Sequence, residues 1–293
     1  MTGRIIQGIG GFYTVLSDSD LYVLRPRGRL RREKVTPMVG DNVAFTPGEG
    51  EQHGFLDEVL PRRNLLTRPP VSNIDLIVIT ISPQSPPPDL LLVDRMLLTA
   101  NEAGISAMLL INKRELDEQG CEALASQYAN AGLKDILRVS AANGDGLSNL
   151  RSRLQGSAHA FAGQSGVGKS SLINALYGRD LVVGDVSHRL SRGKHTTRRV
   201  ELIPLGAGTM VLDTPGFSLL EMALTDPVLL PGRMPEFGPY NGKCYFTPCA
   251  HVTEPGCAVR EAVEAGAISR ERWERYREIH EDMRLRWRER YGK

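Results

Sequence analysis

The run Gly163-Gln164-Ser165-Gly166-Val167-Gly168-Lys169-Ser170 fills every fixed position of the phosphate-cradling pattern G-x-x-x-x-G-K-[ST]. The glycines let successive backbone N–H groups converge on phosphate oxygens. Lys169 would reach the β- and γ-phosphates, and the Ser170 hydroxyl would ligate Mg2+. The pattern needs a strand before it and a helix after it. Ala158-His159-Ala160-Phe161-Ala162 is apolar enough to be a buried strand, and Ser171-Leu172-Ile173-Asn174-Ala175-Leu176 reads as the first turns of a helix. The amino end of that helix adds its dipole to the anion site. These residues point to a nucleoside triphosphate.

Three further loops bear on which nucleotide it is. Thr209-Met210-Val211-Leu212 reads as a short buried strand ending in Asp213-Thr214-Pro215-Gly216, a D-x-x-G. Asp213 can hold Mg2+ through water, and the Gly216 N–H can sense a γ-phosphate. Ser106 to Ile111 is another buried strand and delivers Asn112-Lys113-Arg114-Glu115. Ile136 to Val139 leads into Ser140-Ala141-Ala142. The last two resemble the N-K-x-D and S-A-K loops that read guanine in GTPases. Each loop sits at the end of an apolar strand, where open α/β sheets bind ligands. In N-K-x-D the carboxylate accepts from guanine N1–H and the exocyclic amine. Glu115 keeps the charge but adds a methylene, which weakens base discrimination by about 1–3 kcal/mol. Asp117 stands two residues on, at the start of the next helix.

The order is inverted. GTPases ordinarily run from phosphate loop through D-x-x-G to the base-reading loops, whereas here the base-reading loops come first. The domain therefore reads as circularly permuted, which is tolerable because domain termini usually lie close together on the surface. The D-x-x-G segment then leads directly into the C-terminal region. Phe217 follows it where many GTPases carry the glutamine that orients water. His195 is a candidate replacement, since a neutral imidazole can position or deprotonate water, and contact with RNA is the alternative. Thr196 and Thr197 are both candidates for a switch hydroxyl reaching Mg2+.

Cys244, Cys249, His251 and Cys257 form the spacing C-x4-C-x-H-x5-C. Three thiolates and one imidazole suit a closed tetrahedral zinc site, structural because no position is left for substrate water. Cys121 stands alone in a polar helical stretch.

The elements that must position these groups alternate along the chain. Residues 1–68 hold short apolar runs separated by turn signals, which suggests a small barrel, OB-like or SH3-like. Residues 69–228 alternate apolar strands with helical patterns at 89–103, 117–131 and 146–154, the rhythm of a parallel α/β sheet. Ser82 to Pro88 reads as a rigid loop within that unit. Residues 229–293 carry the Cys/His cluster and a charged helix from about Ser269 to Arg290, mainly helical overall.

Arg25, Arg27, Arg29, Arg31 and Arg32, with Lys34, crowd ten residues against one acid, Glu33, at an apparent barrel loop. A second basic group, Arg189 to Arg199, surrounds the candidate switch residues His195, Thr196 and Thr197. Both suit phosphate-backbone contacts. The eight arginines between 270 and 290 are interleaved with acids and can be satisfied within their own helix.

With 293 residues, net charge +2 and 24% charged residues, the chain fits an ordinary globular protein of two or three domains. No apolar run approaches the ~20 residues of a membrane span. Met1-Thr2-Gly3-Arg4 has no apolar secretion core, and the cysteines suit metal binding in a reducing compartment, so a cytoplasmic protein is expected.

The permuted order, the Gly163–Ser171 loop, the Gly193-Lys194-His195-Thr196-Thr197 segment and the late Cys/His cluster resemble the bacterial ribosome small-subunit-dependent GTPase A family. The likeness extends to Arg27-Gly28 and Val39-Gly40-Asp41, so it covers nearly the whole chain. It implies an OB-fold, a permuted GTPase domain and a zinc domain in series. It also implies GTP hydrolysis to GDP with Mg2+, one structural zinc, and action late in 30S subunit maturation on 16S rRNA. A monomer is expected, with stimulation by the small subunit. An RNA-binding assembly scaffold with largely vestigial turnover is the alternative, and a permuted GTPase serving the large subunit a third reading.

Overall fold

The computed structural model describes residues 1–48, 52–178, 200–213 and 225–292. Five strands open the chain: β1 (Thr2–Ile9), β2 (Phe12–Ser17), β3 (Asp20–Pro26), β4 (Asn42–Thr46) and β5 (Gly54–Val59), with a short helix α1 (Gly28–Arg32) between β3 and β4. They pair in the order β1-β2-β3-β5-β4, and β4 returns to β1, so the sheet closes. β3 and β5 are parallel, the other neighbours antiparallel. This closed Greek-key order is the OB-fold, which settles the choice the strand pattern left open. Alternate inward residues fill it, with Ile5, Val15, Leu24, Val43, Phe45 and Leu56 all essentially inaccessible to solvent.

A hairpin of β6 (Leu65–Thr67) and β7 (Pro70–Ser72) follows, across the point where the sequence pattern changes at residue 68. It is tied to the barrel by Asp41, which is fully buried. Asp41 accepts from Arg62 Nε and Nη2 at 2.7 and 2.8 Å, from Ser72 Oγ at 2.6 Å, and from the Met38 N–H at 2.9 Å. Gly40 has φ +94°, and a Cβ there would land on the Ser72 carbonyl, so no other residue fits that approach.

The central unit comprises β8 (Leu76–Ile81), α2 (Leu90–Glu102), β9 (Ser106–Ile111), α3 (Glu118–Asn130), β10 (Ile136–Arg138), α4 (Leu147–Leu154), β11 (Ala158–Ala162), α5 (Lys169–Tyr177), β12 (Glu201–Gly206) and β13 (Thr209–Asp213). Its strands run β10-β9-β8-β11-β13-β12, all parallel except β12. Every residue of β8 is buried, as expected of a strand covered on both faces. Ile77, Ile79 and Ile81 pack toward α2 and α3, while Leu76 and Val78 pack with Leu150, Leu172 and Leu176 of α4 and α5.

β11 lies between the strand that opens the unit, β8, and the strand that ends it, β13. The strand order therefore reverses beside β11, the position where such sheets leave a ligand crevice at their carboxyl edge. β12 also pairs with β1 through Gln7↔Glu201, so barrel and central sheet are continuous.

Beyond residue 225, three short 3-10 turns lead to α6 (Ala258–Glu264) and α7 (Arg270–Tyr291), N-capped by Ser269. The sequence assigns the charges of α7 to the helix itself. That holds for Arg284–Glu281 and Arg286–Asp282. It fails for Arg272 and Arg275, which reach across to Asp94 of α2 at 2.5 and 2.6 Å. Arg272 also meets Glu236, and Tyr128 Oη donates to Asp94 at 3.0 Å. Asp94 and Arg272 are 2% and 6% exposed, so burial forces this pairing.

Candidate nucleotide site and metal centre

The loop Gly163 to Gly168 leaves the carboxyl end of β11 and enters α5 at Lys169. Gly163 has φ +137°, and a side chain there would strike the Thr80 carbonyl of β8. Lys169 Nζ donates to the carbonyls of Gly163 and Gln164, each at 2.7 Å, and burial lowers its pKa. Val167 is buried beneath the loop, while Ser165, Gly166, Ser170 and Ser171 are exposed at its mouth. Backbone donors, the ammonium and the Ser170 hydroxyl are thus gathered at one rim, an arrangement suited to a polyphosphate and its cation.

Asn112 and Lys113, at the end of β9, are drawn to the same rim. Asn112 Nδ2 donates to the Val167 carbonyl at 2.9 Å, and its Oδ1 accepts from the Ala141 N–H at 3.1 Å. One buried side chain thereby fixes the phosphate loop against the Ser140-Ala141 loop. Lys113 takes a left-handed backbone, φ +63°, and its Nζ donates to the Gly166 carbonyl at 2.7 Å and to the Ser85 carbonyl. Ser140 is buried, and its Oγ accepts from the Asn143 N–H at 3.0 Å.

The two nearby carboxylates are distinguished by what they do locally. Asp117 caps α3, accepting from the Gly120 N–H at 2.8 Å, and is therefore committed. Arg114 is drawn to Glu118 at 2.5 Å. Glu115 is exposed in the 3-10 turn Arg114–Leu116 and has no hydrogen-bond or ion-pair partner among the described residues. Asp213 ends β13, beside β11, opposite Glu201. His195, Thr196, Thr197 and Gly216 lie outside the described residues.

The sequence reading gave the loop after β8 no part in the site. Its Ser85 carbonyl receives Lys113, and the Asp89 N–H donates to Gln164 Oε1 at 2.9 Å. The signal was available: this loop leaves the strand next to β11, so it must border the phosphate loop.

Cys244, Cys249, His251 and Cys257 each offer one ligand atom, all within 4.8 Å of one another. His251 Nδ1 lies 3.5 Å from Cys244 Sγ and 3.3 Å from Cys257 Sγ, and the two sulfurs are 3.9 Å apart. A tetrahedral ion with bonds of about 2.3 Å to sulfur and 2.0 Å to nitrogen would set these near 3.5 and 3.8 Å. The donor set therefore fits a metal ion. Without one, burial pushes the Cys249 thiol up to about 12, so an ion supplies the charge that stabilises the thiolates. The helix α7 grips the ligand loop from outside: Trp273 Nε1 donates to the His251 carbonyl at 2.9 Å, and Tyr276 Oη donates to that of Ala250.

The basic cluster is less uniform than its sequence suggests. Arg25 and Arg27 belong to the end of β3 and the start of α1, and their guanidiniums lie 4.5 and 4.9 Å over the rings of Phe12 and Phe55. Arg29, Arg31 and Arg32 stand on α1, Arg29 paired with Glu33. It is a strand face and a helix, not one barrel loop.

A phosphate loop at the reversal point of a doubly wound sheet, bordered by N-K and S-A loops from strands that precede it in the chain, defines a circularly permuted P-loop GTPase. Residues 59–223 match the RsgA GTPase family model, and residues 2–56 match that of the RsgA N-terminal domain. The chain belongs to the RsgA family of GTPases. Proteins named small ribosomal subunit biogenesis GTPase RsgA are 40% identical in Ruminiclostridium cellulolyticum (96% of this chain, 93% of that protein) and 43% identical in Geobacillus thermodenitrificans (97% and 98%). Among solved structures, YjeQ from Thermotoga maritima aligns with TM-score 0.82 at 32% identity, covering 96% of this chain and 98% of that one. YloQ, described as a circularly permuted GTPase, aligns with TM-score 0.78 at 34% identity, covering 97% and 95%.

Proposed function

We propose that this GTPase is a late-acting assembly factor of the small ribosomal subunit, cycling between GTP and GDP in the cytoplasm as a monomer. The reading rests on full-length relatedness to small-subunit biogenesis GTPases, and the observation that carries it at the site is the Asn112 bridge between the phosphate and base-reading loops. Gly163 to Ser171 would bind the phosphates, with Mg2+ held by Ser170 and Asp213 and, in the triphosphate state, Thr196 or Thr197. Asn112, Lys113, Glu115, Ser140 and Ala141 would read guanine, and Gly216 would sense the γ-phosphate. Zinc would occupy the Cys244, Cys249, His251 and Cys257 cluster. His195 is assigned to the hydrolytic water. The chain is divided at residues 68 and 228, and the first segment, with Arg25 to Arg32, is assigned to 16S rRNA.

Turnover measured with and without purified ribosomal subunits tests the reading. Small subunits should raise the GTP hydrolysis rate, large subunits far less, and Lys169→Ala should abolish it in both cases. An unchanged rate with small subunits would replace this reading with a scaffold.

A further inference from the structure

The outward face of the barrel carries a feature that phosphate contacts alone do not require. Arg25 is the register partner of Phe55 across β3–β5. On the other side it lies one step beyond the Tyr13↔Leu24 pair, opposite Phe12. Phe12, Arg25 and Phe55 therefore form one transverse row across three strands, with His53 edge-on to Phe12 at 4.8 Å. Phe55 is 45% exposed and Val23, next along β3, is 38% exposed, on a small barrel whose inner positions are filled. Arg25 has no carboxylate partner among the described residues. The guanidinium instead lies over the Phe12 ring, 4.5 Å from its centroid.

We propose that this row is a stacking platform for unpaired nucleotides of RNA, which rests on the RNA-binding reading above and names what its first domain recognises. Three considerations favour single-stranded over duplex RNA. The row lies on the β2–β3 face, the surface OB-folds use for oligonucleotides. Its width is two strand spacings, about 10 Å, room for two or three bases stacked about 3.4 Å apart. A duplex hides its base faces and is bound through phosphates and hydroxyls along its grooves, so rings and an apolar valine gain nothing there. An unpaired base can join the Arg27–Phe55 pair or extend the Phe12–Arg25 stack, because every base offers a π-face and a guanidinium plane accepts one.

The test uses the full chain and two fluorescent probes, a ten-nucleotide single-stranded oligoribonucleotide and a hairpin duplex of equal charge, with binding read by anisotropy. Single strand should bind at least tenfold more tightly than duplex. Phe12→Ala and Phe55→Ala should each weaken it about 5- to 100-fold with an unchanged salt dependence, and Phe55→Trp should retain binding. Arg25→Ala should weaken binding and also lower the salt slope by about 0.7. Both phenylalanines lie on the barrel's outer face, and an unaltered far-UV spectrum establishes that the variants fold. Equal affinity for the two probes, or full affinity in the Phe12→Ala/Phe55→Ala double variant, overturns the platform. If small subunits still stimulate that double variant normally, the platform alone has failed. If they leave the unmodified protein unstimulated, the functional reading has failed instead.

Discussion

Replacing Asp94 by alanine tests what holds the C-terminal Cys/His region against the GTPase domain. Asp94 is 2% exposed and neutralises two guanidiniums, those of Arg272 and Arg275, while accepting from Tyr128 Oη. Without it Glu236 remains for Arg272, and Arg275 loses the carboxylate it pairs with. Breaking a buried pair by removing one partner costs about 3–5 kcal/mol, because the surviving charge remains desolvated. The lower half of that range applies here. Arg275 is 13% exposed, and its buried Nη2 already lacks a partner. At about 3.5 kcal/mol, with a urea slope of about 2 kcal/mol per molar, the unfolding midpoint should fall by about 1.7 M. The assay has a built-in reporter, since the chain's two tryptophans, Trp273 and Trp287, both lie on α7. Tryptophan emission should therefore register the loss at lower urea than far-UV ellipticity, which is dominated by the rest of the chain. Asp94→Asn should behave similarly, because an amide cannot neutralise two guanidiniums. A midpoint within about 0.3 M of the unmodified protein would refute the reasoning.

Stability should also fall in mild acid on account of His159. Wholly inside β11 and bonded to Tyr177 Oη at 3.0 Å, it is held by burial at about 4. The unfolded chain protonates it near 6.5, so its contribution is complete above that pH and lost as pH falls toward 4. It amounts to about 3 kcal/mol, and His159→Gln should flatten urea midpoints measured between pH 7 and 4.5. At the base, GTP should compete better than ATP for the protein, and Glu115→Asp should sharpen that preference, by about tenfold; equal competition in the unmodified protein would show that guanine is not read there. Metal analysis should find one zinc per chain. Cys249→Ser should increase proteolysis beyond residue 231 while nucleotide binding persists, and an ordered C-terminal region in metal-free protein would contradict the ligand assignment.

Much of this was legible because it rests on local pattern. The phosphate loop is fixed by spacing, and α2, α3 and α7 by apolar periodicity and good caps at Asp89, Asp117 and Ser269. The parts that were missed have identifiable causes. In β1 a bulge between Ile5 and Gln7 puts three consecutive buried residues where alternation was sought. β12 contains Pro204, which argues against a strand, and it too is irregular at that point. The Asp94 network could not be seen because arginines at helical spacing look self-sufficient until an opposing helix arrives. The three-thiolate cluster was legible as a donor set, but its grip by Trp273 and Tyr276 depends on tertiary contact.

The reversed placement of β11 has a consequence for synthesis. As the chain is made, β8, β9 and β10 are complete before β11, and β8, wholly buried in the finished fold, is then a bare sheet edge of the kind that recruits other chains. At synthesis rates of roughly 5–20 residues per second, that edge waits several seconds for Ala158–Ala162 to slot in beside it. A GTPase whose phosphate loop came first would add its strands in another order. Permutation thus carries a kinetic hazard: nascent chains stalled between residues 140 and 158 should be the most aggregation-prone and the most dependent on chaperones.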